Sequence, residues 1–175
     1  QQKSDALVIL LDLSLSMWAE DIKPSRLVRA RQKVTDVLRQ RQEGMTGLIA
    51  YAGDAHGVVP LTDDVATIEN LLGALDPGMM PVLGSNPGHG LELAMELFRN
   101  ANMTEGRILM ITDGIDQISS VTRHRSRAFP ISIIGVGSYD GGAIPLEPAG
   151  ESRRYLLTHE GNQVIALLDE QRLAE

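Results

Sequence analysis

The stretch Ala6-Leu7-Val8-Ile9-Leu10-Leu11-Asp12-Leu13-Ser14-Leu15-Ser16 governs how the rest of the chain is read. Its first six residues are an unbroken apolar run of strand length, as in a parallel strand covered on both faces. At the carboxyl end the pattern changes to a carboxylate and two hydroxyls at alternate positions. Such a loop gathers oxygen atoms, which hard cations such as Mg²⁺ prefer. Asp and Ser also populate turns and helix caps for purely local reasons, so Asp12, Ser14 and Ser16 alone do not settle the matter.

The following residues supply the company this strand needs. Pro24 suits a helix's first turn. Leu27, Ala30, Val34, Val37 and Leu38 recur at helical spacing, with Arg26, Arg29, Arg31, Lys33 and Arg39 assigned to the solvent face and Gly44 to the helix end. Residues 45–52 predict a second strand and 58–62 a short third, where Pro60 favours an edge position and an antiparallel hairpin. Thr62-Asp63-Asp64 caps a helix carrying Val65, Ile68, Leu71 and Leu72. Residues 76–90 are rich in Gly and Pro and predict a long loop, of the kind that is often functional. A helix is expected over 88–100.

Arg107 to Thr112 predicts another buried strand, ending in Asp113-Gly114: a second acid at a strand's end. Residues 117–127 predict a polar helix, 130–136 a strand, 154–157 a last edge strand and 162–173 a closing helix. Strands alternating with helices imply right-handed crossovers. The expected fold is therefore α/β: a Rossmann-like three-layer sandwich with a mostly parallel central sheet of about six strands, one antiparallel edge strand and helices on both faces. Ligands of such folds sit outside the carboxyl ends of the strands, at the switch point of strand order. Asp12 and Asp113 lie at such ends, and the loop around Ser85 can share their rim.

Composition narrows the function classes. At 175 residues the chain suits one domain, spanning 1–175, and 43% hydrophobic residues with 3% aromatics predict an aliphatic core. A net charge of −7 argues against nonspecific nucleic-acid binding, which needs a basic surface. The absence of cysteine removes disulfides, thiolate metal sites and cysteine nucleophiles. No apolar run reaches the roughly 18 residues of a membrane span. The chain opens without Met, and the expectation is a domain cut from a longer protein.

Asp12-x-Ser14-x-Ser16, Gly84-Ser85 and Thr112-Asp113-Gly114, in that order and strand context, resemble the metal-ion-dependent adhesion site of von Willebrand factor type A domains. The resemblance covers about residues 6–172. It implies Asp12, Ser14, Ser16, Ser85 and Asp113 as metal ligands, with Ser85 standing where the family more often has Thr. The cofactor would be a divalent cation, Mg²⁺ first, with Mn²⁺ and Ca²⁺ as alternatives. The open position of the ion would be filled by an Asp or Glu carboxylate from a protein partner. Asp21 to Leu27 (DIKPSRL), Gly47 to Gly53, Pro60 to Asp64 and Met80 to Ser85 resemble bacterial Bat-type, BatB-like aerotolerance-operon proteins. That resemblance implies a parent anchored in the bacterial inner membrane, with this domain on the periplasmic side.

The primary expectation is thus a metal-dependent protein-interaction module rather than an enzyme. One alternative is a metal-dependent phosphoryl-transfer enzyme of Rossmann-like fold. Such phosphatases would want a second Asp at position 14, and receiver domains a Lys at a later strand end; this chain has Ser14, and only Gly135 and Gly137 around the end of the strand at 136. Neither a phosphate-binding loop nor a Ser-His-Asp set in recognisable context is found. The other alternative is a scaffold with a vestigial site. His56, His89, His124 and His159 lack ligand spacing and are expected on the surface. Trp18 admits either local packing or exposure as a partner contact.

Overall fold

A computed structural model describes residues 5–116, 118–146 and 154–168. Its centre is a five-stranded sheet in the order β3-β2-β1-β4-β5, with β1 at Ala6–Asp12, β2 at Met45–Tyr51, β3 at Ala55–Thr62, β4 at Arg107–Thr112 and β5 at Ile131–Gly135. The pairs β1–β2, β1–β4 and β4–β5 are parallel, and β3 is the antiparallel edge. All seven residues of β1 are buried. The chain leaves β1 towards β2 on one side and reaches β4 on the other, so the switch point lies at the ends of β1 and β4.

Side chains alternate across this sheet as a pleat requires. Leu7, Ile9 and Leu11 face one layer, formed by α1 (Arg26–Gln40) and α2 (Val65–Ala74) through Leu27, Ala30, Val34, Ile68 and Leu72. Ala6, Val8 and Leu10 face the other, formed by α3 (Pro87–Asn100) and α4 (Ile118–Thr122) through Leu91, Ala94, Phe98 and Val121. Each helix has a local reason to start where it does. Ser25 Oγ accepts from Val28 N, Asp64 Oδ1 from Thr67 N and Asn86 Oδ1 from His89 N, and Pro87 occupies the first turn of α3. Pro24 therefore sits ahead of the cap rather than inside the helix.

Four expectations need correction. The central sheet has five strands, not six, because residues 154–157 do not join it. Tyr155 instead bridges Pro145 and Leu157 bridges Gln163. The closing helix over 162–173 is not formed across its described part: Ile165–Ala166 is strand β7, paired antiparallel with β6 at Gly142–Ala143. Val164, Leu167 and Leu168 span too few residues to specify a helix, and pairing with the 142–157 segment decides their conformation. Residues 169–173 lie outside the described residues. The first helix ends at Gln40, and Gly44, at φ +99°, serves the turn into β2 rather than the helix end. The polar helix expected over 117–127 is the single short α4.

Phe98 anchors the second layer. It is fully buried and stacks on Phe129, with ring centroids 4.6 Å apart. Phe98→Ala is expected to lower unfolding stability by about 3–5 kcal/mol, read as a reduced urea midpoint with an unchanged m-value.

Candidate metal centre

The ends of three adjacent strands converge on Asp12. It is the last residue of β1, lies in register with Tyr51 at the end of β2, and neighbours Thr112 at the end of β4. Its Oδ1 accepts from Ser14 N at 2.8 Å, and its Oδ2 accepts from Thr112 Oγ1 at 2.6 Å. The Tyr51 hydroxyl lies 3.5 Å from the same Oδ2. The first of these bonds is ordinary Asx-turn chemistry. It folds the loop so that Ser14 and Ser16 face each other, their Oγ atoms 3.0 Å apart. Met17 and Ala19 continue the loop as a 3-10 turn, donating to the carbonyls of Ser14 and Ser16.

The second part comes from the loop before α3. Asn86 N donates to Ala52 O at 2.6 Å and Gly53 N to Val82 O at 3.0 Å, which ties residues 82–86 to the end of β2. A Cβ at Gly53 would strike Val82 and the backbone of Leu83, and Gly84 holds φ +120°, a region glycine occupies without strain. This close approach sets Ser85 on the rim. Asn86, not Ser85, caps the helix, so the capping role open to Ser85 is taken by its neighbour. Ser85 Oγ is buried and has no hydrogen-bond partner among the described residues.

The third part, Asp113, follows β4 and is buried. Its Oδ2 accepts from Arg26 Nη1 at 2.9 Å, and it also takes a hydrogen bond from the Ser16 side chain. Ser14, Ser16, Ser85 and Asp113 line one recess of about 400 Å³, with Gly114 and Asp116 beside them. Asp12 is not on its wall but lies beneath it, with no exposed surface. The opposite wall is apolar and includes Ile144, Val164 and Leu167 from the β6–β7 region.

Arg26 does not lie on the solvent face that its charge predicts. It has 0% exposure and is the centre of a buried ion network. Its Nε and Nη2 both donate to Asp21 at 2.8 Å, its Nη1 to Asp113, and its Nη2 also to the carbonyl of Ala166 at 2.6 Å. The signal was present: Arg26, Ala30 and Val34 fall at i, i+4 and i+8, on the buried stripe. As the first residue of α1, Arg26 also projects back towards the loop that precedes the helix. Asp21 Oδ2 further accepts from Ser138 N at 2.7 Å and Ser138 Oγ at 2.9 Å, which fastens the end of β5 to the same network.

Two carboxylates held together out of water disfavour their own ionisation. Burial, followed by the nearby Asp113 carboxylate, raises the Asp12 pKa against hydrogen bonds from Thr112 and Ser14. Burial likewise raises Asp113, against the opposing pull of Ser16 and Arg26. A cation in the recess would relieve both effects, and it would give the Ser85 hydroxyl a partner. The donor set fits a hard divalent ion: the hydroxyls of Ser14, Ser16 and Ser85 and the carboxylate of Asp113, with Asp116 also on the wall and the Asp12 carboxylate buried behind it. It is an oxygen set rich in hydroxyls, and among the described residues no three His, Asp or Glu side chains gather as a metal cluster.

The sequence model of the von Willebrand factor type A domain matches residues 7–115. The chain belongs to this family. The crystal structure of BatB, a conserved hypothetical protein of Bacteroides thetaiotaomicron, superposes on it with a TM-score of 0.84 at 28% identity, covering 97% of this chain and 85% of that one. An aerotolerance-related membrane protein of Bacteroides fragilis gives a TM-score of 0.84 at 27% identity, covering 97% and 84%. An uncharacterized protein of Borreliella burgdorferi is 28% identical over 142 residues, which are 75% of this chain. The chain spans 40% of that curated relative's length. A von Willebrand factor type A domain of Catenulispora acidiphila shares the fold at a TM-score of 0.63 and 19% identity, covering 77% of this chain and 34% of that one. Von Willebrand factor type A domains typically mediate protein–protein interactions, and those of Bat-like proteins are generally interaction or scaffold modules rather than enzymes.

The remaining expectations are settled locally. Trp18 is half-buried and its Nε1 donates to Asp76 Oδ2 at 3.1 Å, so it packs against the 76–78 turn. His56 pairs with Asp54, and His89 and His159 are exposed. His124 Nδ1 lies 2.8 Å from the Ser120 carbonyl. None of the four lines the recess.

Asp21 gives the network a pH signature. Burial alone would raise its pKa, but hydrogen bonds from Arg26 and Ser138 outweigh it and hold the group down at about 2. A depressed carboxylate contributes stability above its unfolded pKa, near 3.8, and loses it as pH falls through about 2. Asp21→Asn is expected to cost on the order of 2 kcal/mol at pH 7. The stability gap between wild type and variant should stay constant down to about pH 5 and close between about pH 4 and 2, followed by chemical denaturation across that range.

Proposed function

We propose that this domain is a metal-dependent protein-interaction module. In this reading the hydroxyls of Ser14, Ser16 and Ser85 and the carboxylate of Asp113 hold a divalent cation, Mg²⁺ or Mn²⁺ before Ca²⁺. Asp12 shapes the loop from below and adds negative charge. The observation that carries the reading is the Ser85 hydroxyl, buried and, among the described residues, without a partner, on a recess that Ser14, Ser16, Asp113 and Asp116 also line. A buried hydroxyl without a partner costs roughly 1–3 kcal/mol, so such groups call for an explanation. When bound, the ion supplies a Lewis-acidic position that an Asp or Glu carboxylate of a partner protein occupies.

The enzyme alternative is disfavoured by the state of Asp12. A nucleophilic carboxylate must present an oxygen to substrate, whereas Asp12 has no exposed surface and both of its oxygens are engaged by Ser14 and Thr112. The relative of Bacteroides fragilis is an aerotolerance-related membrane protein, which supports a membrane-associated parent for this domain; we propose that the parent is held at the bacterial inner membrane with this domain on the periplasmic side. Among the described residues no helix is long and apolar enough to cross a membrane.

The test is thermal unfolding of the purified domain during Mg²⁺ and Mn²⁺ titration. Stabilisation is expected, approaching about 2.7 kcal/mol at a hundredfold excess over the dissociation constant. Asp12→Asn should abolish most of it. Ser85→Ala should leave the metal-free domain at least as stable while shrinking the response to metal. No response of the wild type to either ion would overturn the reading.

A further inference from the structure

We propose that the arginine-bearing loop 122–130 is a docking surface for the acidic headgroups of the bilayer that holds the parent protein. The inference rests on a membrane-associated parent and is independent of the metal reading. The loop stands apart in an acidic chain. It holds Arg123, Arg125 and Arg127 with His124 and no acid, inside a stretch from 117 to 139 that lacks Asp and Glu altogether, while the whole chain carries a net charge of −7. All three arginines are exposed. Charge of one sign gathered on a chain of the other sign selects an anionic partner for that place on the surface.

The loop is fixed rather than free. It runs from the end of α4 to the start of β5, and so descends to the amino ends of the parallel strands. Gly106 N donates to Ala128 O at 2.9 Å, Ala128 N to Ser126 Oγ at 3.2 Å, and Phe129 stacks on the buried Phe98. A backbone held in this way spares the cost of ordering a flexible segment on binding. At the lower end of the loop Arg127 lines, with Arg107, Asp5 and Glu105, a depression of about 410 Å³. Asp5 serves two cations there, accepting from Arg107 Nη2 at 2.7 Å and from Arg41 Nη1 at 3.0 Å. Arg41 has Glu43 beside it. Loop and depression together set five arginines against three acids, so positive charge is in surplus.

Position says which anion. The chain enters β1 from Asp5, on the wall of this same depression, so a bilayer anchor ahead of β1 would hold this end of the sheet against the lipid. The recess of Ser14, Ser85 and Asp113 lies at the opposite, carboxyl ends of the strands. This orientation turns it to the aqueous side, where a protein partner has access. Each arginine beside an acidic bilayer brings about a fivefold gain in partitioning, about a hundredfold for three, and the attraction fades within about 10 Å at 0.1 M salt.

The experiment is co-sedimentation of the purified domain with vesicles of phosphatidylcholine alone and of phosphatidylcholine with about 40% phosphatidylglycerol, at about 50 mM and about 200 mM salt. Wild type is compared with the combined variant Arg123→Gln, Arg125→Gln and Arg127→Gln. The wild type is expected to partition at least about tenfold more strongly onto the acidic vesicles at low salt, and to lose most of that preference at high salt and in the variant. EDTA should leave the preference unchanged. A wild type that does not distinguish the vesicles, or a folded variant that still does, overturns the inference. Displacement by soluble poly-glutamate at the same charge concentration also overturns it, in favour of an acidic protein. Should the variant not fold, hydrogen exchange of the wild type decides: slower exchange over 122–130 on acidic vesicles supports the inference, and unchanged exchange overturns it. A domain that responds to Mg²⁺ but not to acidic vesicles overturns this inference alone.

Discussion

The structure depends on placing an ionisable group at the end of a strand that admits no water. β1 is hydrogen-bonded on both sides and covered on both faces, and all of its residues are buried. Six apolar side chains drive that burial, each worth roughly 1.5–3 kcal/mol for the larger ones. The seventh residue, Asp12, is carried into the same environment by chain continuity. Its carboxylate must then be satisfied by what the neighbouring strand ends offer, and these supply Thr112, Tyr51 and the Ser14 amide. The loop geometry that faces Ser14 to Ser16 is the local consequence. A site at the sheet's switch point is thus less an addition to the fold than the way the fold resolves a buried acid.

The same problem recurs one layer out, with a different solution. Asp113 is buried beside Asp12 and receives a permanent cation, Arg26, as its partner. A lone buried guanidinium would be prohibitive, and a single carboxylate partner would leave most of its donors unused. Asp21 and the Ala166 carbonyl take the remainder. This joins four distant parts of the chain: the loop before α1, the end of β4, the end of β5 through Ser138, and β7. The β6–β7 region makes little contact with the central sheet, yet it is fastened to the rim through this network. It thereby becomes the apolar wall of the recess.

The parts of this arrangement legible in the sequence were those set by a single strong preference. Apolar runs such as 6–11 and 108–111 announce buried strands, Pro60 an edge strand, and Asp12 and Asp113 acids at strand ends. What escaped was decided by tertiary contact. Arg26 counted as a surface residue because charge normally outweighs position on a helix, although its place on the Ala30–Val34 stripe pointed inward. The C-terminal segment carried a helical spacing over too few residues, and its pairing partner at 142–143 has no strand signal of its own: Gly142-Ala143 is neither β-branched nor aromatic. Ser85 could be located on the rim, but the division of labour in which Asn86 caps the helix and leaves the serine hydroxyl unpartnered exists only in three dimensions.

The donor set itself favours recruitment of a further ligand over self-sufficiency. Hydroxyls bring lone pairs without charge, so the three serines on the recess do not neutralise a cation. The Asp113 carboxylate shares its charge with Arg26, whose own charge is in turn divided with Asp21. In a medium of low dielectric these divisions matter, because Coulomb energies that are small in water grow several-fold in a partly enclosed recess. In the proposed reading an ion held there is under-neutralised by the groups it touches and faces outward past an apolar wall. That combination attracts a carboxylate presented by another protein more strongly than it attracts water, since the carboxylate adds both an oxygen and the missing charge.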